Sequence, residues 1–355
     1  MNERLLKDWQ IISQSFDLSA STEQVKTINS GLINDSFIIK NNGQAFVLQR
    51  INTQVFNKPD AIQANFDKVS EHLLNKPYPY ALLSTVKTVE KQSILHIDNN
   101  VWRLMPYVEN SITINSIEKT DQAYSASQMV GAFDKALGDL DANDFYTTIP
   151  GFHDLTGRLE ALSQVLKVDA HDRRKLCFKE LQLVDKFSEL GRWQSANLAN
   201  GNLKIKVTHN DTKVTNQLFD SETRLAKALI DWDTIMPGCW LYDYADMIRS
   251  FVPSLNEESE VNSSLVLQQD IFQATSVGYL DATASEFSEF EKTHMLTAVQ
   301  LIFFMLGVRF LTDFIDGDNY FKIAEDLQNL KRCRTQFALL EQLSRDLKYW
   351  KTLAG

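Results

Sequence analysis

The run Val207-Thr208-His209-Asn210-Asp211-Thr212-Lys213-Val214-Thr215-Asn216, followed shortly by Ile230-Asp231-Trp232-Asp233, holds the residues of this chain best suited to chemistry. An Asp, an Asn five residues on, and a second Asp after about a hairpin's length of chain suit kinase-type phosphoryl transfer. In that chemistry one carboxylate orients the acceptor hydroxyl, while an amide oxygen and a second carboxylate hold magnesium against the nucleotide phosphates. The work is mostly positioning and charge neutralisation, so a few oxygen-bearing side chains on rigid elements nearly suffice.

Asp211 is the candidate that accepts the hydroxyl proton. A lone loop Asp is usually a turn former. Here Asn216 completes a pattern of the form His-x-Asp-x-x-x-x-Asn, and an apolar run ending in Ile230-Asp231 follows it. Asn216 and Asp231 are the candidate magnesium ligands. His209 reads as a brace for the loop rather than a proton carrier. Asp233 points the same way as Asp231 if the strand continues, to share metal, bind substrate or stay solvated. Trp232 belongs in the core.

The elements that must position these groups fall into two parts. Residues 1 to about 25 read as a helix. Short runs rich in β-branched and aromatic residues follow at 36–40, 45–51, 85–89 and 101–104, with turns at 41–43 and 98–100. Between them Pro59-Asp60-Ala61 opens a helix whose stripe is Ile62, Phe66, Val69 and Leu73. Met105-Pro106-Tyr107-Val108-Glu109 reads as a linker. Beyond it the pattern is helical: Ala126, Val130, Phe133 and Leu137 form one stripe, Leu159, Leu162 and Leu166 another, and Leu176 to Leu190 a third. Strands at 205–208 and 228–230 flank the polar motifs. Helices resume from Glu286 to Trp350, broken at Asp316-Gly317-Asp318-Asn319.

Composition narrows the class. With 355 residues, 44% apolar and 23% charged, the chain reads as an ordinary soluble two-lobed enzyme. A net charge of -10 argues against nucleic acid as a partner. Cys177, Cys239 and Cys333 show no paired spacing, which suits buried thiols in a reducing cytoplasm. The charged start does not read as a signal peptide. The longest apolar stretch, Leu296 to Val308, is interrupted by Thr297, Gln300 and Gly307, so it reads as too short and too polar to span a bilayer. No membrane partner is expected, and monomer and dimer both stay open.

His209-Asn210-Asp211 with Asn216, Ile230-Asp231-Trp232-Asp233 and Tyr242-Asp243-Tyr244-Ala245-Asp246 resemble the motifs of the aminoglycoside phosphotransferase and choline kinase superfamily. Gly31-Leu32-Ile33-Asn34-Asp35-Ser36, Phe46 to Asn52, Ile149-Pro150-Gly151-Phe152-His153 and Asp231 to Gly238 are more similar to the N-acetylhexosamine 1-kinases. The resemblance runs from about residue 28 onward. It implies an α+β, protein-kinase-like bilobal fold with a small β-rich N-lobe (1–104), a hinge (105–109) and a larger, mainly helical C-lobe (110–355). It also implies ATP, magnesium and an amino-sugar acceptor phosphorylated at its anomeric hydroxyl.

On that plan Gly31 to Ser36 would fold over phosphates, with Asn34 and Ser36 helping a loop that has one glycine. No Ala-x-Lys or Val-x-Lys stands on the next strand, so Arg50 would be the phosphate cation, with Leu48 against adenine. The alternative is that Gln49 faces the nucleotide. Glu71, or Asp67 a turn earlier, would pair with that cation. Met105 and Tyr107 would lie in the hinge that meets adenine. Asp233, Asp243, Asp246 and Arg249 lie past the metal strand. Asp233, Asp246, Arg309 and Tyr320 would contact the acceptor, with Trp350 nearby, although Arg309, Asp246 and Arg249 could equally be structural ion-pair partners. An aminoglycoside, choline-like amine or amino alcohol remains an alternative acceptor, and a non-catalytic nucleotide-binding module is the rival from another class.

Overall fold

A computed structural model of the chain describes residues 3–19, 21, 24–28, 33–255 and 264–354. The first helix, α1 (Glu3–Ser15), is shorter than the sequence suggests, and strand β1 occupies Val25–Ile28. With β2 (Asp35–Asn41), β3 (Gln44–Ile51), β4 (Leu95–Ile97) and β5 (Asn100–Pro106) it forms an antiparallel sheet of order β1-β2-β3-β5-β4. The expected strand at 85–89 is only a bridge from Val86 to Leu104, and β4 takes the edge position instead.

Two helices cover this sheet, one on each face. On the outer face, Leu5 and Ile12 of α1 and Phe16 just after it pack on Phe37, Ile39, Leu48, Trp102 and Leu104. Asp8 of α1 is buried there and accepts hydrogen bonds from Trp102 Nε1 (2.9 Å) and Asn100 Nδ2 (2.8 Å). On the inner face lies α2 (Pro59–Leu73), opened by Pro59 in its first turn with Asp60 complementing the helix dipole. Ile62 meets Ile51 and Val101, while Phe66, Val69 and Leu73 join the larger core below. Asn65 of α2 ties the sheet to the rest of the chain, donating to the Tyr146 and Ile235 carbonyls at 2.8 Å.

The remainder is mostly helical. After β6 (Ser111–Ile112) come α3 (Thr120–Ala136), α4 (Leu155–Val168), α5 (Phe178–Phe187) and α6 (Glu189–Ala199). The single stripe expected over 176–190 is thus divided at Ser188. Short strands β7 (Lys206–Thr208), β8 (Gln217–Asp220), β9 (Ala226–Leu229) and β10 (Met236–Gly238) then build the polar centre: β7 pairs with β10, and β8 with β6 and β9. α7 (Trp240–Phe251), α8 (Gln269–Thr283), α9 (Glu289–Thr293), α10 (Met295–Ile315), α11 (Gln328–Arg345) and α12 (Leu347–Ala354) complete the chain.

α10 corrects one expectation. It runs 21 residues with mean hydropathy 1.8, so by length and composition it could cross a bilayer, but 72% of its apolar window is buried inside the fold. It is the central core helix, and Gly307 lets Phe337 of α11 lie against its backbone. α3 and α8 approach similarly closely, where a Cβ on Gly131 would come within 2.8 Å of the Tyr279 carbonyl. Fold class follows the expectation: a small antiparallel-sheet lobe on a mainly helical one.

Candidate functional site

The loop after β7 is held from below by α7. The buried Asp243 accepts the backbone N–H of His209 (3.0 Å) and of Asn210 (2.7 Å), and the Thr212 hydroxyl donates to the Asp243 carbonyl (2.7 Å). Asn210 sits in the left-handed region (φ +69°), and its amide donates to the Thr208 (2.9 Å) and Thr234 (3.1 Å) carbonyls. His209 Nε2 lies 3.0 Å from the Ile230 carbonyl, and its Nδ1 accepts from the Asp211 N–H at 3.3 Å. Burial pushes its pKa down to about 4, so the ring is a neutral brace.

This scaffold presents Asp211. Burial alone would raise its pKa, but Lys213 hydrogen-bonded to its Oδ2, with His209 and Arg249 nearby, holds the carboxyl below its ordinary range. Asp211 is therefore an ionised carboxylate held in one orientation. Asn216 Nδ2 donates to the Asp211 carbonyl and Oδ2, both at 2.9 Å, which leaves Asn216 Oδ1 as the atom that could ligate a metal.

Asp231 stands across from them in the left-handed conformation (φ +65°). Its pKa is pushed up to about 7, first by burial and then by the charges of Asp233 and Asp211, against Lys213 and Arg103. Crowded negative charge of this kind fits a cation. Among the described residues no trio of His, Cys, Asp or Glu could hold a metal by itself. Asp231 with Asn216 Oδ1 could instead form the sparse protein set that suits magnesium when substrate phosphates supply the rest.

The left-handed turn at Asp231 has a second consequence. β9 ends at Leu229, and a 3-10 turn over Trp232–Thr234 replaces the continued strand. Asp233 therefore does not share the direction of Asp231. It is fully buried at the lobe junction, where Asn34 Nδ2 donates to its Oδ2 (2.7 Å) and Arg103 Nη2 lies 2.6 Å from its Oδ1. Asp233 is thus removed from the expected acceptor contacts. Asp246 is also buried; it accepts from Arg249 Nε at 2.7 Å and lies within charge reach of Asp211 and Lys213.

On the strand lobe several expectations change face. Leu48 is completely buried against α1, on the side of the sheet away from Asp233. Arg50 shares that outer side, opposite Trp102 in register, and its guanidinium is paired with Asp35 (Nε 2.9 Å, Nη2 2.6 Å). Neither lines the cleft, because α1 had already taken their face of the sheet. Glu71 is exposed on α2 and does not meet Arg50, and Asp67 instead binds Lys87 at 3.1 Å.

Gln49 is the inward residue of β3. Its Nε2 donates to Ser36 Oγ (3.1 Å), and its Oε1 accepts from Arg103 Nε (2.9 Å) and Nη2. Ser36 and Asn34 are thus engaged within the protein; Asn34 Oδ1 also accepts the Asn52 N–H (2.9 Å). Gly31 lies outside the described residues. Met105 is half-buried at the end of β5, while the Tyr107 N–H donates to the Ala45 carbonyl (3.0 Å) and is not available to a ligand. Strand alternation turns the Pro106 carbonyl to the opposite edge, the side on which the Leu104 carbonyl accepts from Val86.

Near Asp211 lies a wall of which the sequence offered Arg309, Tyr320 and the Gly151-Phe152-His153 stretch but not Arg158. Gly151-Phe152-His153 precedes α4, which Asp154 caps by accepting the Gly157 N–H (3.1 Å). The Arg309 guanidinium lies 5.5 Å from the Phe152 and Phe321 ring centres and 6.0 Å from Tyr320. Asp313 accepts the Tyr320 (2.7 Å) and Phe321 (3.0 Å) N–H groups and folds this turn back over α10. Arg158 stands close by: burial and then Arg309 hold its pKa below the ordinary value, and its Nε has no partner. His153 lies among Arg309, Asp211 and Arg158, its pKa driven to about 3 mainly by burial. Arg309 and Tyr320 are thus brought together, whereas Trp350 is buried against Phe272, 5.0 Å away, away from this wall.

Of these groups Lys213 lay inside the quoted motif and Phe152 and His153 inside another, so the sequence offered them. Arg103 and Arg158 gave no local signal.

A model of a phosphotransferase enzyme family matches residues 24–262. Among solved structures the chain is similar to a microcompartment-associated aminopropanol kinase (14% identity, TM-score 0.62, 98% of each chain covered). It is also similar to a choline kinase from Cryptosporidium parvum (14%, TM-score 0.60, 93% of this chain and 92% of that one). A third is a spectinomycin phosphotransferase solved with ADP and spectinomycin (13%, TM-score 0.61, 95% and 98%). At these identities the likeness is one of fold, kinase-like and α+β.

Proposed function

We propose, from the premise that this chain belongs to the phosphotransferase enzyme family, that it moves the γ-phosphate of ATP to the anomeric hydroxyl of an N-acetylhexosamine. The observation that carries this acceptor is the charge of the wall beyond Asp211. Arg158 and Arg309 stand there with aromatic rings and no paired carboxylate among the described residues. The acids that could have made a cation site, Asp233, Asp243 and Asp246, are buried and engaged elsewhere. A choline, an aminopropanol or an aminoglycoside brings positive charge, which two guanidinium groups repel. A neutral sugar offers hydroxyl and acetamide oxygens to those same donors and an apolar ring face to Phe152, Phe321 or Tyr320.

In this reading Asp211, ionised and oriented by Asn216 and Lys213, takes the proton of the acceptor hydroxyl as its oxygen bonds to the γ-phosphorus and the bond to the β-bridging oxygen breaks. The products are the sugar 1-phosphate and ADP, and the proton passes from Asp211 to product or solvent. Asp231 and Asn216 Oδ1 would hold magnesium, which supplies charge neutralisation on the phosphates. Adenine would lie against the 105–109 segment between a strand lobe (1–104) and a helical lobe (110–355), with the outward Pro106 carbonyl as an edge acceptor. All three cysteines are buried free thiols, which supports a reducing cytoplasmic setting.

The test is ATP consumption across N-acetylhexosamines, aminoglycosides, choline and amino alcohols, with the phosphorylated position read by phosphorus NMR. Turnover on an N-acetylhexosamine at O1, abolished in Asp211→Asn with ATP binding kept, is expected. Turnover confined to the cationic acceptors, or substantial activity in Asp211→Asn, would overturn the reading.

A further inference from the structure

A kinase site needs a cation on the strand lobe for the nucleotide phosphates, commonly a lysine on the third strand paired with a glutamate of the following helix. Here neither partner is in place. The polar inward residue of β3 is the neutral Gln49, Arg50 faces α1, and the acids of α2 are the exposed Glu71, the Lys87-bound Asp67 and Asp60 beside His96.

The cation that occupies the inner face comes from the neighbouring strand. Arg103 on β5 is the cross-strand partner of Gln49, and its side chain is 2% exposed. Its Nε and Nη2 are held by Gln49 Oε1, and its plane lies 5.4 Å from the Phe66 ring of α2. It reaches the loop that carries Asp231, and its charge acts on that carboxyl.

Its bonding is incomplete. Nη1 has no partner, and Asp233 Oδ1, although 2.6 Å from Nη2, receives no aligned N–H. A buried guanidinium with an unmet donor, beside a carboxylate held by charge alone, is costly unless something else completes it. Nothing in the packing of β3, β5 or α2 supplies that acceptor.

We propose that Arg103 is the phosphate-binding cation of the strand lobe, and that Asp233, from the metal loop, takes the place of the helix glutamate as its acidic partner. In the free protein Asp233 holds the guanidinium by charge. When ATP binds, Nη1 donates to a phosphate oxygen beside Asp231, and Gln49 keeps the guanidinium plane in position. This rests on the kinase reading above but not on the identity of the acceptor.

The test is calorimetric binding of ATP, ADP and adenosine to the wild type, to Arg103→Gln and to the charge-balanced Arg103→Gln/Asp233→Asn. ATP and ADP affinity should fall about tenfold or more in both variants, with adenosine affinity unchanged. If ATP and adenosine weaken together, or neither changes while the melting temperature falls, the pair is only a lobe fastener and the proposal fails. If the double variant does not fold, the same ratio in Arg103→Gln decides. A wild type that binds no ATP overturns the kinase reading itself, an outcome distinct from both.

Discussion

Asp243 gives the sharpest prediction about how the fold produces the site. It is fully buried and accepts two backbone N–H groups, from His209 at 3.0 Å and Asn210 at 2.7 Å, immediately before Asp211. In Asp243→Ala both donors stay buried without an acceptor, at about 1–3 kcal/mol each. Part of that loss is returned, because burial and then Asp134 hold the Asp243 carboxyl well above its ordinary pKa, so the native charge is itself costly. The net loss of stability should be about 1–4 kcal/mol.

Asp243→Asn behaves differently. The introduced carbonyl accepts one of the two N–H groups, and the introduced amide donates to the Asp134 carboxyl, which Asp243 already meets in the native protein. Its stability should lie close to wild type. Turnover separates the two further, since a shift of the loop of about 1 Å costs on the order of a hundredfold in rate. Urea unfolding at pH 8 and a coupled ADP-release assay measure both quantities. Asp243→Ala with wild-type stability and rate, or Asp243→Asn less stable than Asp243→Ala, would refute the account.

Two further predictions concern the helical lobe. A Cβ on Gly278 would sit inside contact distance of Ser127 Oγ and the Tyr124 carbonyl of α3, so Gly278→Ala should cost about 1–3 kcal/mol, read as a lower melting temperature. Its control is Gly43→Ser, where φ is +82° but no atom lies within 4 Å: only local backbone strain is expected, about 1 kcal/mol. Burial pushes the Asp134 carboxyl up from 3.8 to about 7, against hydrogen bonds from Tyr279 and Asp243 and the Lys206 charge. The folded value exceeds the unfolded one, so its contribution to stability is full below pH 3.8 and is lost as pH rises through about 7. Unfolding free energies at pH 5.5 and pH 8 should differ in the wild type and much less in Asp134→Asn; equal differences would remove Asp134 as the cause.

The geometry of the polar motif was legible because its information is local. A short strand, a five-residue spacing and a second strand bring Asp211, Asn216 and Asp231 together whatever else the chain does. Face assignment in the strand lobe is not local. Alternation puts Leu48 and Arg50 on one side and Gln49 on the other, but which side is the cleft depends on where α1 packs. The same holds for Arg103, whose role is visible only through its register with Gln49. Asp233 was misread because a non-glycine residue, Asp231, takes a positive φ and ends the strand two residues early. Arg158 sits on α4, some 150 residues from Arg309 in sequence, and their approach follows from tertiary packing alone.

These displacements alter what the acidic run beyond the metal strand means. In sequence Asp231, Asp233, Asp243 and Asp246 stand as one acidic run, of the kind an aminoglycoside acceptor would need. The fold gives each a separate role. Asp243 holds the loop, Asp233 meets Arg103 at the lobe junction, and Asp246 meets Arg249. In the proposed reading Asp211 and Asp231 are left for chemistry, each under the charge of Lys213. Selectivity would then pass from the acids to the opposite wall, where Arg309 and Arg158 lie near Phe152, Tyr320 and Phe321. Such a wall favours an acceptor rich in oxygen with an apolar face, and charge repulsion alone disfavours an ammonium there.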